Sequence, residues 1–340
     1  THSLALSEEL RTSIHQLAVS GNHEIAQLCD IDKKIALLSC SAIEHVCKKA
    51  HVSPKMIQAI GSHGQTLRHK PQDAAGNGYS LQVGDPNIIA EKTGITTIAD
   101  FRRRDIAAGG HGAPLAPAFH QAAFYSSDHD RIILNTGGIA NITYISKQGS
   151  EVFGYDTGPA NGLMDSWCQQ HRNTPYDNHG EWASTGTINT DLLAQLLAHP
   201  FFSLPYPKST GREDFNLPWL KNELTHFPKV NPQDVQATLL ALTVESIAQS
   251  IEAHDQSASA EIYVCGGGSK NIALMNSLSK RLGLRPVAST DALGISSDWV
   301  EAVAFAWLAK QTMNKVTGNL PSVTGANHPV ILGGVYWGND

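Results

Sequence analysis

Asn135, Thr136, Gly137 and Gly138 stand where an apolar segment beginning at Ile132 stops and another resumes. Paired glycines at such a turn let backbone N–H groups approach an anion that a bulkier loop would keep away. Further on, Asp156 follows a second apolar run and precedes Thr-Gly-Pro, so an acid is expected at a strand end, placed to act on whatever the turn holds. That order suits phosphoryl transfer. A plain hairpin turn, followed by a helix from about Pro159 with Asp156 as its cap, would use the same residues, and both readings stay open. A later cluster, Gly266, Gly267 and Gly268, follows the run Glu261 to Cys265 and precedes Ser269 and Asn271. It suits either close approach of a ligand or tight strand-to-helix packing.

The elements that must position these residues alternate between helix and strand. Ser7 to Val19 reads as a helix opened by a serine cap, with Glu8 and Glu9 in its first turn. From Asn22 to Ala50 the residues Ile25, Leu28, Ile35, Leu38, Ala42 and Val46 recur at helical steps. Strands are expected at Ile57 to Ser62, Tyr79 to Val83 and Ile95 to Ala99, with a helix from Pro86 to Lys92 between the last two. His63, Gln65 and Thr66 would then end one strand, and Arg102, Arg103 and Asp105 would follow another. Pro114 and Pro117 open a helix through Phe124, and the polar stretch Ser126 to Asp130 marks a domain junction.

The second half repeats the pattern. Strands are expected at Arg131 to Thr136, Ile142 to Ile145 and Val152 to Tyr155, then a helix from Asn161 to His171. An insert containing PYPKSTGRED, Pro205 to Asp214, leads to a long helix from Pro232 to Ala253, the strand Glu261 to Cys265, a helix capped by Ser269, and a last helix from Trp299 to Met313. Tandem α/β halves fit the duplicated actin-like and sugar-kinase fold, built of ribonuclease H-like halves with a nucleotide and sugar cleft between them. The expected domains are 1–128, 129–316 and a tail, 317–340, packing back toward the first. A dinucleotide-binding fold finds no GxGxxG after the first strand.

Bulk properties narrow the class. A chain of 340 residues exceeds the size at which single cores usually stop growing. With 41% hydrophobic and 16% charged residues it reads as a globular enzyme. A net charge of −6 without a basic block argues against nucleic acid, and Arg102, Arg103 and Arg104, flanked by Asp100 and Asp105, read as a local ion network or substrate clamp. No run predicts a membrane span or signal peptide. Cys29, Cys40, Cys47, Cys168 and Cys265 show no CxxC spacing and read as reduced thiols of a cytoplasmic protein. The histidines include no HExxH, so no protein metal site is expected.

Nine segments, in order, make the chain resemble the anhydro-N-acetylmuramic acid kinases of bacterial peptidoglycan recycling. They are GSHGQTLRHKP at Gly61, QVGDPN at Gln82, DFRRRDIAAGGHGAPLAPAFH at Asp100, NTGGIANIT at Asn135, GYDTGPANGLMD at Gly154, PKSTGRE at Pro207, DVQATL at Asp234, VCGGGSKN at Val264 and EAVAFAWLA at Glu301. Members of that family begin with a strand, a Gly-Thr-Ser loop and Asp-Gly, which this sequence lacks. It therefore reads as an N-terminally clipped member, missing one phosphate loop, with impaired turnover expected if nothing precedes Thr1.

The resemblance implies an ATP-dependent reaction that opens the 1,6-anhydro ring by adding water and phosphorylates O6. It implies Asp156 as the base for that water, with Glu301 as a second carboxylate near it, although a plain first-turn charge fits Glu301 as well. Asn135, Gly137, Gly138, Gly266, Gly267, Gly268, Ser269 and Asn271 would serve ATP, with Mg2+ held mostly by phosphate and water. His63, Gln65, Thr66, Arg102, Arg103, Asp105 and His111 would serve the sugar, an arginine taking its lactyl carboxylate. A homodimer is implied too. A non-catalytic nucleotide-binding protein on the same scaffold is the alternative.

Overall fold

A computed structural model describes residues 1–18, 21–73 and 75–339. Packing divides them into two compact units, residues 1–119 with 301–340, and residues 120–300. The divisions expected at 128/129 and 316/317 are thus displaced. Phe124 and Tyr125 are tied to the second unit, Arg131 donating to the Phe124 carbonyl and the Tyr125 hydroxyl to the Lys147 carbonyl. At the other end Phe305, Leu308 and Ala309 pack with Ile98 and Phe101 of the first unit.

Unit 1 opens with α1 (Glu8–Ala18) and α2 (Glu24–Ala50). The Ser7 hydroxyl accepts from the Leu10 N–H, the expected cap, and the expected end at Val19 lies outside the described residues. Leu10, Ile14 and Leu17 pack with Ile31 and Ile35 against Leu67 and Val83. Ile25, expected on the apolar stripe of α2, is 80% exposed. The two residues of β1 (Ile60–Gly61) are followed by a hairpin of β2 (Gln65–Lys70) and β3 (Tyr79–Val83), so Gln65 and Thr66 begin a strand instead of ending one. Next come α3 (Pro86–Thr93), β4 (Thr97–Ala99), α4 (Arg103–Ala107) and α5 (Ala116–Phe124), whose last turn belongs to unit 2.

Unit 2 holds β5 (Arg131–Thr136), β6 (Ile139–Ile145), β7 (Val152–Pro159), α6 (Asn161–Arg172), α7 (Glu181–Thr185), α8 (Thr190–Leu197), α9 (Leu217–Leu224), α10 (Pro232–Glu252), β8 (Glu261–Cys265), α11 (Ile272–Leu282) and β9 (Val287–Ser289). The sheet order is β7-β6-β5-β8-β9, with β5 to β7 an antiparallel meander and β8 and β9 parallel to β5. This is the ribonuclease H-like order expected for the second half. Its core helix is α10, enclosed over most of its surface: Val235, Leu239, Leu242, Ile247 and Ile251 are all buried, and the helix packs on β6, β7, α6, α7, α8 and α11.

The chain returns to unit 1 through α12 (Val300–Met313), α13 (Pro321–Thr324) and β10 (Gly334–Tyr336). β10 pairs antiparallel with β4, whose other edge carries β1 in parallel. Leu242 is fully buried at the centre of the unit 2 core, so Leu242→Ala should cost about 2–5 kcal/mol in a urea unfolding titration.

Candidate active site

A tight turn at Gly137 and Gly138 joins β5 to β6, and the start of α6 is built on it. The Ala160 and Gly162 N–H groups donate to the Gly138 carbonyl at 3.1 Å, and the Asn161 N–H donates to the Gly137 carbonyl at 3.0 Å. Donors at a helix start have no partner within the helix, and here the turn supplies one. The Asn161 side chain adds a bond to the Thr136 carbonyl at 2.8 Å. No side chain caps α6, so the cap role considered for Asp156 is not the one it plays.

Gly137 and Gly138 are not required by packing. Neither has a positive φ. A Cβ on Gly137 would meet nothing nearer than 3.7 Å, and one on Gly138 nothing nearer than Arg212 Nη2 at 3.5 Å. The space in front of the turn is open, which fits an anion brought against the main chain.

The triple glycine divides by function. Gly266 has φ +80°, and an added Cβ would lie 2.6 Å from Asn135 Oδ1. One on Gly268 would lie 2.5 Å from Thr136 Oγ1. Turn geometry and packing against β5 therefore demand these two. Gly267 is under no such demand, its nearest neighbour being Asn161 Nδ2 at 3.4 Å. It lines a cavity of about 300 Å³ with Asn161, Asp165, Asp177, Gln236 and Asn271. Asn271 caps α11 by accepting from the Leu274 N–H at 3.0 Å. Ser269, the expected cap, instead donates to the Gly266 carbonyl at 2.7 Å, because a short 3-10 turn over Gly267–Lys270 separates it from α11.

Asp156 is not at a strand end. β7 runs on to Pro159, with Asp156 opposite Asn141 and Gly158 opposite Ala140, so Thr157 is an extra residue. Such a bulge re-aims the neighbouring side chain. Asp156 Oδ2 accepts from Ser209 Oγ at 2.8 Å and from the Thr210 N–H at 3.1 Å. The Asp156 N–H donates to the Lys208 carbonyl at 3.1 Å. Among the described residues nothing donates to Oδ1. Burial raises the Asp156 pKa, while the bonds from Thr210 and Ser209 work against that rise.

Three further side chains at this site escaped the sequence reading. Arg212 sits beside Gly138, carried there by the segment that holds Asp156. Asp165 is pushed up to about 6 by burial, with the Arg212 charge lowering it and the Asp177 charge raising it. Gln236 is fully buried on α10; its Nε2 donates to Asp177 Oδ2 at 3.5 Å and its Oε1 has no partner among the described residues. Its position inside the apolar run DVQATLLALTV is a signal the sequence did contain. An orphaned acceptor costs about 1–3 kcal/mol, and in a cavity wall it suits a donor from a ligand.

The other expected residues lie in unit 1. Arg102 donates from Nε and Nη2 to His63 Nε2 at 3.1 and 3.0 Å, and from Nη1 to the Gly112 carbonyl at 2.8 Å. Burial, and then the Arg102 charge, lower His63 to about 4, so it stays neutral and accepts. Arg103 is paired with Asp100 at 2.5 Å and lines a cavity of about 190 Å³ with His63 and Gln82. Gln65 donates to the Thr66 carbonyl, and Thr66 Oγ1 accepts from Gln82. Glu301, also in unit 1, is exposed in the first turn of α12 and its charge favours the ionised form of Arg102. His111 is tied by its N–H to the Thr324 carbonyl, and its ring is exposed. Asp105, expected to face a sugar, is fully buried. It accepts from the Gly112 N–H, Asn319 Nδ2 and Thr324 Oγ1 at 2.8, 2.7 and 2.7 Å, so it braces the loop instead.

Residues 1–338 match the family model described as anhydro-N-acetylmuramic acid kinase. The chain belongs to the anhydro-N-acetylmuramic acid kinase family. It is 49% identical over 336 residues to the anhydro-N-acetylmuramic acid kinase of Shewanella sp. (strain MR-4), covering 99% of this chain and 90% of that one. It is 48% identical over 339 residues to that of Coxiella burnetii (strain Dugway 5J108-111), with the same coverage. Among solved structures it is weakly similar to the activator of the 2-hydroxyisocaproyl-CoA dehydratase from Clostridium difficile, at 14% identity and TM-score 0.32 over 65% of this chain and 70% of that one.

Within this member of the anhydro-N-acetylmuramic acid kinase family, the two kinds of glycine should separate in thermal melts. Gly268→Ala should lose about 1–3 kcal/mol through overpacking against Thr136, whereas Gly137→Ala should stay within about 0.5 kcal/mol of the parent. Asp105→Ala leaves Gly112, Asn319 and Thr324 without their acceptor and should cost about 3 kcal/mol or more in chemical unfolding.

Proposed function

We propose that the chain phosphorylates anhydro-N-acetylmuramic acid at O6 with ATP while water opens the 1,6-anhydro bond, giving N-acetylmuramate 6-phosphate and ADP. The observation that carries this reading is Asp156: a half-buried carboxylate fixed through Oδ2, with Oδ1 unengaged among the described residues. A non-catalytic nucleotide-binding protein would have no use for such an acid.

In the proposed reaction a water oxygen forms a bond to C1 as the C1–O6 bond breaks. O6 keeps that electron pair and takes the γ-phosphoryl group from ATP, so ADP leaves, and the water proton passes to Asp156 and then to solvent. One oxygen is leaving group and nucleophile together, which avoids releasing a free alkoxide. Gly137, Gly138 and Gly267 offer main chain to the phosphates, with Asn135, Gly266, Gly268, Ser269 and Asn271 shaping the turn and helix beneath. Mg2+, when bound, would neutralise phosphate charge; Asp165 lines the same cavity as Gly267, its carboxylate makes no hydrogen bond among the described residues, and it could serve as an oxygen ligand.

The sugar's polar groups fall to His63, Gln65, Thr66, Arg102, Arg103 and His111, with Glu301 as the second carboxylate. The lactyl carboxylate goes to Arg102. Arg103 is already paired with Asp100, whereas the direct partners of Arg102, His63 and the Gly112 carbonyl, are neutral, so its charge has no bonded counter-ion. Homodimerisation and a cytoplasmic setting belong to the same proposal, the latter supported by five free cysteines.

Asp156→Asn should keep ATP and sugar binding measurable by calorimetry while turnover falls about 10²-fold or more. The acid limb of kcat/KM should lie above the ordinary aspartate value, activity being lost as pH falls through the raised Asp156 pKa. Ser209→Ala removes a bond to the charged form and should move that limb higher still. An acid limb unmoved in Ser209→Ala would remove Asp156 from the role of base.

A further inference from the structure

We propose that Arg212 binds the transferred phosphoryl group, and that residues 208–213 are one frame holding this cation and the Asp156 base in fixed register. The inference rests on the phosphoryl-transfer reading above. Three observations carry it. The Arg212 Nη2 and Nε atoms lie 3.5 and 3.6 Å from where a Cβ on Gly138 would stand, so the guanidinium occupies the edge of the open space before the glycine turn. Its side chain makes no ion pair or hydrogen bond among the described residues, although the chain's other site arginines do: Arg102 is bonded to His63 and Arg103 to Asp100. Its position is set by anchors on both sides. Lys208 Nζ donates to the Phe201 and Phe202 carbonyls, Ser209 and Thr210 bond Asp156, Thr210 Oγ1 donates to Asp214, and Asn216 Nδ2 donates to the Arg212 carbonyl.

A cation held over a glycine turn with no internal counter-ion is electrostatically incomplete. The charge that would complete it is the one that glycine turns admit, a phosphate oxygen. Asp165 is close enough to feel the Arg212 charge, but it forms no bond with it and is itself raised to about 6 by burial. The guanidinium is therefore available to a dianionic γ-phosphoryl group, whose charge spreads over its three equatorial oxygens as transfer proceeds. Because the same short segment fixes Asp156 through Ser209 and Thr210, a shift of the frame would misplace base and phosphate ligand together, and positional errors of this kind are costly in rate.

The test uses Arg212→Ala and Arg212→Lys, with melting temperature checked first; both should melt with the parent because the side chain is exposed and makes no internal bond. Affinities for ADP and for a non-hydrolysable ATP analogue are measured by calorimetry, and turnover with ATP, magnesium and anhydro-N-acetylmuramic acid. Arg212→Ala should bind ADP within twofold of the parent, bind the ATP analogue at least tenfold more weakly, and lose about 10²–10³-fold in kcat, with Arg212→Lys recovering part of the loss. A kcat within threefold of the parent, or an unchanged ratio of ADP to ATP-analogue affinity, would overturn the proposal. A parent protein that binds both nucleotides but never turns over the sugar would defeat the phosphoryl-transfer reading instead, and the affinity ratio would still decide Arg212.

Discussion

The start of α6 is capped by peptide carbonyls of a glycine turn, and unit 2 is arranged around that contact. Three N–H groups, from Ala160, Asn161 and Gly162, end on Gly137 and Gly138. The approach is close enough that a Cβ on Gly162 would lie 3.0 Å from the Gly138 carbonyl oxygen. The motifs around Asn135 and Gly154 therefore act as one: the first supplies acceptors, the second supplies donors and a glycine small enough to reach them. The contact also links sheet and helix, so β5, β6 and β7 hold the turn in place and α6 orients it. Since the turn carbonyls face the helix start, the side that Gly137, Gly138 and Arg212 border is left open, and the proposed function uses that side for the phosphates.

Carboxylates in this protein differ less in burial than in what that burial brings with it. Asp105 is wholly buried and still serves the fold, because a loop N–H, an amide and a hydroxyl converge on it. Asp156 is half-buried and bonded through one oxygen, so burial wins over its two donors and its pKa rises. Asp165 has no donor among the described residues, and burial lifts it to about 6. Full satisfaction marks a brace, partial satisfaction a group with capacity left for chemistry. By the same measure His63, neutral and bonded to Arg102, keeps a half-buried cation in place without cancelling its charge.

The sequence announced its long, strongly patterned elements well: β5, β8 and α10 lie within a residue or so of their expected limits, because Ile, Val and Leu in unbroken runs leave few alternatives. Shorter features depended on contacts it could not display. β7 outran its expected end at Tyr155 because a bulge at Thr157 lets the ladder continue through Gly158. Asp105 looked like a substrate ligand since three partners, at Gly112, Asn319 and Thr324, come from distant positions. The three glycines at Gly266 to Gly268 are identical in sequence and unlike in space, two being packed and one open. Arg212 lay inside PKSTGRE, a segment that carried the resemblance but whose residues were given no role. Its placement follows from Asp156, fifty-odd residues earlier, through bonds that no local pattern encodes.

Folding tends to satisfy polar groups, so groups it leaves incomplete are informative when they gather. Among the described residues unit 2 gathers several: the Arg212 cation without a bonded counter-ion, the Gln236 acceptor without a donor, the Asp165 carboxylate without a hydrogen bond, and the unengaged Oδ1 of Asp156. Gln236, Asp165 and Gly267 line one cavity, and Arg212 borders the turn next to it. Away from this cavity, still within unit 2, comparable groups are closed off, as Arg285 is by Asp255 and Arg281 by Glu245 and Glu252. Each open group leaves stability unrealised, and scattered singly they would be defects. Grouped beside glycines that packing does not require, they would serve, under the proposed function, as counterparts of a ligand that is anionic at one end and carries a hydrogen-bond donor at the other, as a nucleotide is.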